Sequence, residues 1–102
     1  MPVEMDWLMD DAIAKGAGIS LAKMTLQAGE ISELHSHPNC NEIIHVLTGK
    51  VEQSCGGEKS VLGEGETVLI RQGQKHQTRN ISDETAVLMV AYSAGSRLYD
   101  PS

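Results

Sequence analysis

GEISELHSHPNCNEIIHVLTG, residues 29–49, is the stretch on which the fold turns. His35 and His37 stand two apart. On a strand, residues i and i+2 point to the same side, so both imidazoles face one interior. Pro38 and Asn39 turn the chain. Glu42 then opens a run to Leu47 that is rich in β-branched residues and stopped by Thr48 and Gly49. By strand parity Ile44 and Val46 share the face of Glu42, whereas His45 has the opposite parity.

Working outward, the same alternation recurs in short pieces. Ile19 to Gln27 reads as a strand, Ser32 to His37 as a second, Glu42 to Leu47 as a third and Lys50 to Ser54 as a fourth. The paired glycines in Cys55 to Glu58 predict a hairpin turn. Lys59 to Leu62, Glu66 to Ile70, His76 to Asn80 and Ala86 to Ser93 complete the set, separated by glycine-containing turns or by Ser82 to Glu84. Before them, Asp10 to Lys15 predicts one short helical turn, ended by Gly16 and Gly18. Many short strands with little helix indicate an all-β sandwich or barrel.

Among the four histidines, His76 is the third of interest. It opens its strand just past Gly73, and closure of a barrel can bring it opposite His35, His37 and Glu42. Three imidazoles and one carboxylate suit Fe, Mn, Ni, Co or Zn, whereas Mg or Ca would call for an all-oxygen site. One divalent transition-metal ion per chain is therefore the expected cofactor.

The chain resembles the cupins, specifically the small single-domain kind. Their first motif is a glycine, five residues, His-x-His, three or four residues, Glu, six residues and a glycine. Gly29, His35, His37, Glu42 and Gly49 match it. Their second is a glycine, five residues, Pro-x-Gly, two residues, His, three residues and Asn. Gly65, Gly73, His76 and Asn80 match it, with Arg71 in the proline position. The resemblance implies a double-stranded β-helix, or jelly-roll, barrel with the metal inside. It also implies that the four matching His and Glu side chains are ligands. Arg71 replaces a residue that stiffens a turn. On this reading residues 1–18 form an N-terminal segment, at a dimer interface or packed on its own barrel through Trp7. Residues 19–102 form the barrel.

Several neighbours of the ligands have plainer readings beside the functional one. His45 is expected at the surface or an interface. Cys40, in the turn between His37 and Glu42, is either a thiol near the ion or a small apolar filler. Arg71 either steers an anion at the mouth or is simply solvated. Ile44, Val46 and Thr78 share faces with ligands, and Tyr92, Met24, Leu26 and Met89 are further lining candidates; core packing is the plain role for all of them. Asn80, in phase with His76, braces a turn or hydrogen-bonds behind the metal.

Bulk properties narrow the function. The chain has 102 residues and 40% apolar composition, suited to one domain with one core. Aromatics are 3% with no Phe, so aliphatic residues must fill that core and a homodimer would help a small barrel. A net charge of −6 disfavours nucleic acid and anionic membranes as partners. Neither Cys40 nor Cys55 sits in a Cys-x-x-Cys spacing, and no signal-peptide or membrane-span pattern is present, so a cytoplasmic location is expected. The reading favours a metal-dependent enzyme of the oxygenase (dioxygenase), decarboxylase, lyase or isomerase type. It would act on a small anionic or oxygen-rich substrate, with Glu42 able to loosen from the ion and take a proton. A non-catalytic small-molecule binding or sensing module is the alternative.

Overall fold

The computed structural model describes residues 3–101, and these hold strands and turns with no helix. In chain order the strands are β1 (Glu4–Met9), β2 (Ser20–Leu26), β3 (His35–Ser36), β4 (Glu42–Thr48), β5 (Val51–Cys55), β6 (Glu58–Leu62), β7 (Thr67–Ile70), β8 (His76–Asn80), β9 (Ala86–Tyr92) and β10 (Asp100–Pro101). They form two five-stranded sheets, ordered β1-β2-β9-β4-β7 and β10-β3-β8-β5-β6. Every pairing is antiparallel, as in the expected double-stranded β-helix.

Alternation sets which side chains meet between the sheets. In β2, Ser20, Ala22, Met24 and Leu26 are buried, while Leu21 and Lys23 are exposed. Strand β9 buries Ala86, Leu88, Val90 and Tyr92 in the same rhythm. Apart from Ser20, these buried residues join Ile44, Val46, Val51 and Ile70 in one hydrophobic core. Burial of such side chains stabilises by about 1.5–3 kcal/mol each.

Gly49 links β4 to β5 where the register of β4 shifts between Val46 and Thr48. Its φ is +90°, and a Cβ there would lie 2.9 Å from both Cα and Cβ of Ala86. Only glycine fits both the conformation and the approach.

Arg71 shows how the second turn manages without proline. Its free N–H donates to the Gln74 side chain at 3.3 Å, and Gln74 N–H donates back to the Arg71 carbonyl at 3.0 Å. The turn is also tied to the first one. Gly73 N–H reaches the His37 carbonyl (3.0 Å), Gln72 N–H the Asn41 side chain (2.8 Å), and the Gln72 amide the Pro38 carbonyl (2.7 Å). These bonds dock the start of β8 beside His37. Arg71 itself is exposed.

The structure departs from the sequence reading at both ends and at one strand. The strand expected over Ser32 to His37 shrinks to His35–Ser36. The helical turn is a single capped turn: Asp10 Oδ1 accepts from Ala12 and Ile13 N–H, Ala14 N–H reaches the Asp10 carbonyl, and no helix follows. Ahead of it, β1 pairs with β2. At the far end β10 pairs with β3.

Candidate metal centre

The four residues singled out in the sequence meet at one point. In the second sheet His35 opens β3 and lies directly opposite His76, which opens β8. His37 follows β3 on the same side as His35. Glu42 comes from the facing sheet, where β4 places it between Ile70 and Tyr92. One donor atom from each of the four lies within 4.8 Å of the others, and all four side chains are buried.

The outer partners of the imidazoles determine what faces inward. His35 Nδ1 pairs with the Glu33 carbonyl (2.5 Å), His37 Nδ1 with the Leu98 carbonyl (2.8 Å) and His76 Nδ1 with the Gln74 carbonyl (2.9 Å). A carbonyl only accepts, so each Nδ1 carries the proton and each Nε2 of a neutral ring carries a lone pair. His37 Nε2 and His76 Nε2 stand 3.2 and 2.9 Å from Glu42 Oε1. None of these three buried atoms has a partner in hydrogen-bond geometry. Acceptors packed against acceptors repel, and leaving them unpaired costs about 1–3 kcal/mol each. A cation between them removes both penalties. The donor set and its backbone-fixed tautomers therefore fit a divalent transition ion, which the four residues could hold.

The same contacts set the protonation balance of His35, Glu42 and His76 when no cation lies between them. Burial drives His35 down to about 4, aided by the His76 and His37 rings and opposed by the Glu33 carbonyl. Burial alone would raise Glu42, but its contacts with His37 and His76 prevail and hold it at about 2. His76 moves the other way: burial lowers it, and the Glu42 contact followed by the Gln74 carbonyl raises it further.

The remaining predicted residues divide. Tyr92 belongs at the site: its ring packs edge-on against His37 at 5.1 Å between centroids. Burial, then the nearby Glu42 charge, push its ionisation upward, so the phenol stays neutral beside that carboxylate. Cys40 is buried in the core cluster, and burial followed by Glu42 raises its thiol. Ile44 and Val46 are fully buried core residues. Thr78 donates its hydroxyl to the Gln53 side chain at 2.6 Å. Asn80 braces the turn after β8 through the carbonyls of Leu26 and Glu84 and the N–H and hydroxyl of Ser82. His45 lies half-exposed on the outer face, paired with Thr67. Met89 is on that outer face too, opposite His45, whereas Met24 and Leu26 point inward.

The sequence reading missed the segment after β9. Tyr99 stacks on His35 (4.6 Å, 16°), and its hydroxyl donates to Glu33 at 2.5 Å. Burial and then that carboxylate push Tyr99 up to about 12. Arg97 lies against the rings of Trp7, Tyr92 and Tyr99, its Cζ 5.2 Å from each centroid. These are all three aromatic side chains of the chain. Beside them a cleft of about 300 Å³ reaches the cluster at His35 and Tyr92. The aromatics were visible in the sequence, but nothing in their spacing marked them as neighbours.

A barrel of this topology with an inward His₃Glu cluster is a cupin. The family model described as Cupin domain matches residues 22–92, and the chain belongs to that family. Germin-like protein 3-8 of Oryza sativa subsp. japonica is 37% identical over 82 residues, covering 76% of this chain and 36% of the relative. The chain thus spans about a third of the length of the germin-like relatives it matches. Among solved structures, an oxalate oxidase superposes with a TM-score of 0.87 at 23% identity, covering 96% of this chain and 54% of that one. Oxalate decarboxylase from Lactobacillus farciminis, in a formate complex, gives a TM-score of 0.85 at 21% identity, with 97% and 30% covered. These two likenesses carry the fold. Among the described residues no helix is long and apolar enough to cross a membrane.

Proposed function

We propose that this cupin holds one divalent transition-metal ion through His35, His37, Glu42 and His76 and acts on a small carboxylate-bearing molecule. The observation that carries the reading is the convergence of unpaired Nε2 and Oε1 atoms at a buried point. Two of the fold neighbours are named for oxidation and decarboxylation of oxalate, which supports a carboxylate as the substrate class.

A divalent ion at such a site supplies Lewis-acid polarisation of a carbonyl or carboxylate and, with iron or manganese, access to redox chemistry. The protein's own groups do the rest. The carbonyls of Glu33, Leu98 and Gln74 keep each imidazole in one tautomer and orientation. Three neutral imidazoles and one carboxylate leave a divalent site with a charge near +1, which favours an anion. Tyr99 covers one face of His35 and limits water there. Glu42, beside the Tyr92 phenol and kept ionised by His37 and His76, would take a proton only on loosening from the ion during turnover.

The test is elemental analysis of protein purified without added metal, followed by assays of small carboxylates with Fe(II), Mn(II) or Ni(II) restored. We expect about one first-row transition ion per chain and turnover with at least one metal. Failure to retain any of these ions would refute the site. Tight retention of a small molecule without turnover would favour the binding-module reading.

A second copy of the chain is proposed on the outer face of the first sheet. Met9, Leu21, Ala91, Ile43 and Leu69 lie in register across all five strands there. Leu21, Ile43 and Leu69 are exposed. Light scattering should give the mass of a dimer for the wild type and of a monomer for Ile43→Lys. A monomeric wild type would remove this proposal.

A further inference from the structure

Arg97 is placed for a purpose that packing alone does not account for. The guanidinium is half-buried, offers five N–H donors, and is surrounded by Trp7, Tyr92 and Tyr99. Among the described residues no carboxylate or carbonyl pairs with it. A ring face steadies a cation but uses none of its in-plane hydrogen-bond donors. The same two tyrosines contact the metal cluster from their other neighbours: Tyr92 touches His37, and Tyr99 stacks on His35. The guanidinium is therefore one aromatic ring away from the imidazoles.

The cleft joins these two positions. Arg97 and His35 both line it, and Met5, Met24 and Ile31 give it an apolar wall. Glu33 is its acidic side chain, with Oε1 engaged by the Tyr99 hydroxyl. The cleft thus offers a cation at one place, the ion site at another and hydrocarbon between.

We propose that Arg97 is a specificity-determining residue that anchors the far carboxylate of a short aliphatic diacid. The other acid group points to the ion site, and the methylene chain lies on Met5, Met24 and Ile31. The inference rests on the reading of the His35, His37, Glu42 and His76 cluster as a metal site that receives an anionic ligand. A two-carbon diacid is too short to engage both ends across the thickness of a ring, so a chain of about four carbons is the expected length.

Succinate and butyrate separate this role from a structural one, since they share a four-carbon chain and differ by one carboxylate. Calorimetric titration of zinc-loaded protein should show succinate binding about tenfold tighter than butyrate, the scale of one charge-assisted pair. In Arg97→Gln that preference should vanish while butyrate affinity and zinc content stay near wild type. Arg97→Lys, which keeps the charge without the planar fork, should recover part of it. Trp7, the only tryptophan, gives a second readout: its fluorescence should change with succinate and not with butyrate. Equal affinities for the two acids in the wild type would overturn the proposal. So would an Arg97→Gln variant that keeps the preference or loses both ligands alike. If the wild type retains neither zinc nor iron, manganese or nickel, the metal reading fails by itself. The succinate preference of the metal-free protein, and its loss in Arg97→Gln, then decides the role of Arg97.

Discussion

His76→Ala is expected to lose its metal and, with it, the thermal margin that the metal confers. An orienting partner behind a metal ligand is worth about 10- to 100-fold in affinity, and removing the ligand itself should exceed that. An ion present at 100 times its dissociation constant, bound only by the folded state, stabilises by about 2.7 kcal/mol. For a domain of this size that is on the order of 10 °C in Tm. Melting curves with and without chelator should therefore differ for the wild type and coincide for His76→Ala. The metal-free proteins should melt close together, because the substitution also removes a lone pair that faces Glu42 at 2.9 Å. A variant that keeps full metal occupancy would contradict the assignment.

Asn80→Ala is expected to unfold easily yet bind metal normally once folded. Asn80 is 1% exposed. Its amide N–H₂ donates to the carbonyls of Leu26 (3.0 Å) and Glu84 (2.8 Å), and its oxygen accepts from the N–H and hydroxyl of Ser82 (2.9 and 2.7 Å). Truncation strands these groups, at about 1–3 kcal/mol for each one left buried. A net loss of about 3 kcal/mol follows, read as a lower urea midpoint. Metal content per folded chain should not change, since no bond of Asn80 reaches the four-residue cluster. A loss of metal with little loss of stability would instead place Asn80 behind the ion.

These two variants also mark how much could be read from the residues in order. Two-residue parity put His35 and His37 on one side, and the turn at Pro38 and Asn39 brought Glu42 round. Those are local rules, and they held. The meeting of His76 with the others rested on the family resemblance, because spacing alone could not locate a residue so far along the chain. Asn80 had two readings in phase with His76, and the structure places it in the turn. Parity also separated His45 from the site correctly.

The ends were less legible. Met5 and Trp7 alternate with exposed neighbours as in a half-buried edge strand, but Asp10 and the small residues after it carry the plainer signal of a turn. Strand β10 covers two residues and includes Pro101, a pattern with no strand signal of its own. Arg97 and Tyr99 follow a stretch of Ser, Ala and Gly that reads as plain loop. Their position depends on the Leu98 carbonyl docking on His37 and the Leu98 N–H docking on Asn39. That is long-range information, absent from any local window.

The bond from His37 to Leu98 crosses 61 positions of sequence. The imidazole's tautomer is therefore settled by a contact that forms only when distant parts of the polypeptide have met. Contacts of such separation are slow to assemble. Ion capture should then trail the ordering of the backbone, and a stopped-flow experiment should see intrinsic fluorescence settle before a metal-sensitive signal does. For the same reason, escape of the ion should be paced by the peeling away of residues 97–101, so that the off-rate reports on how firmly that segment is attached to the barrel.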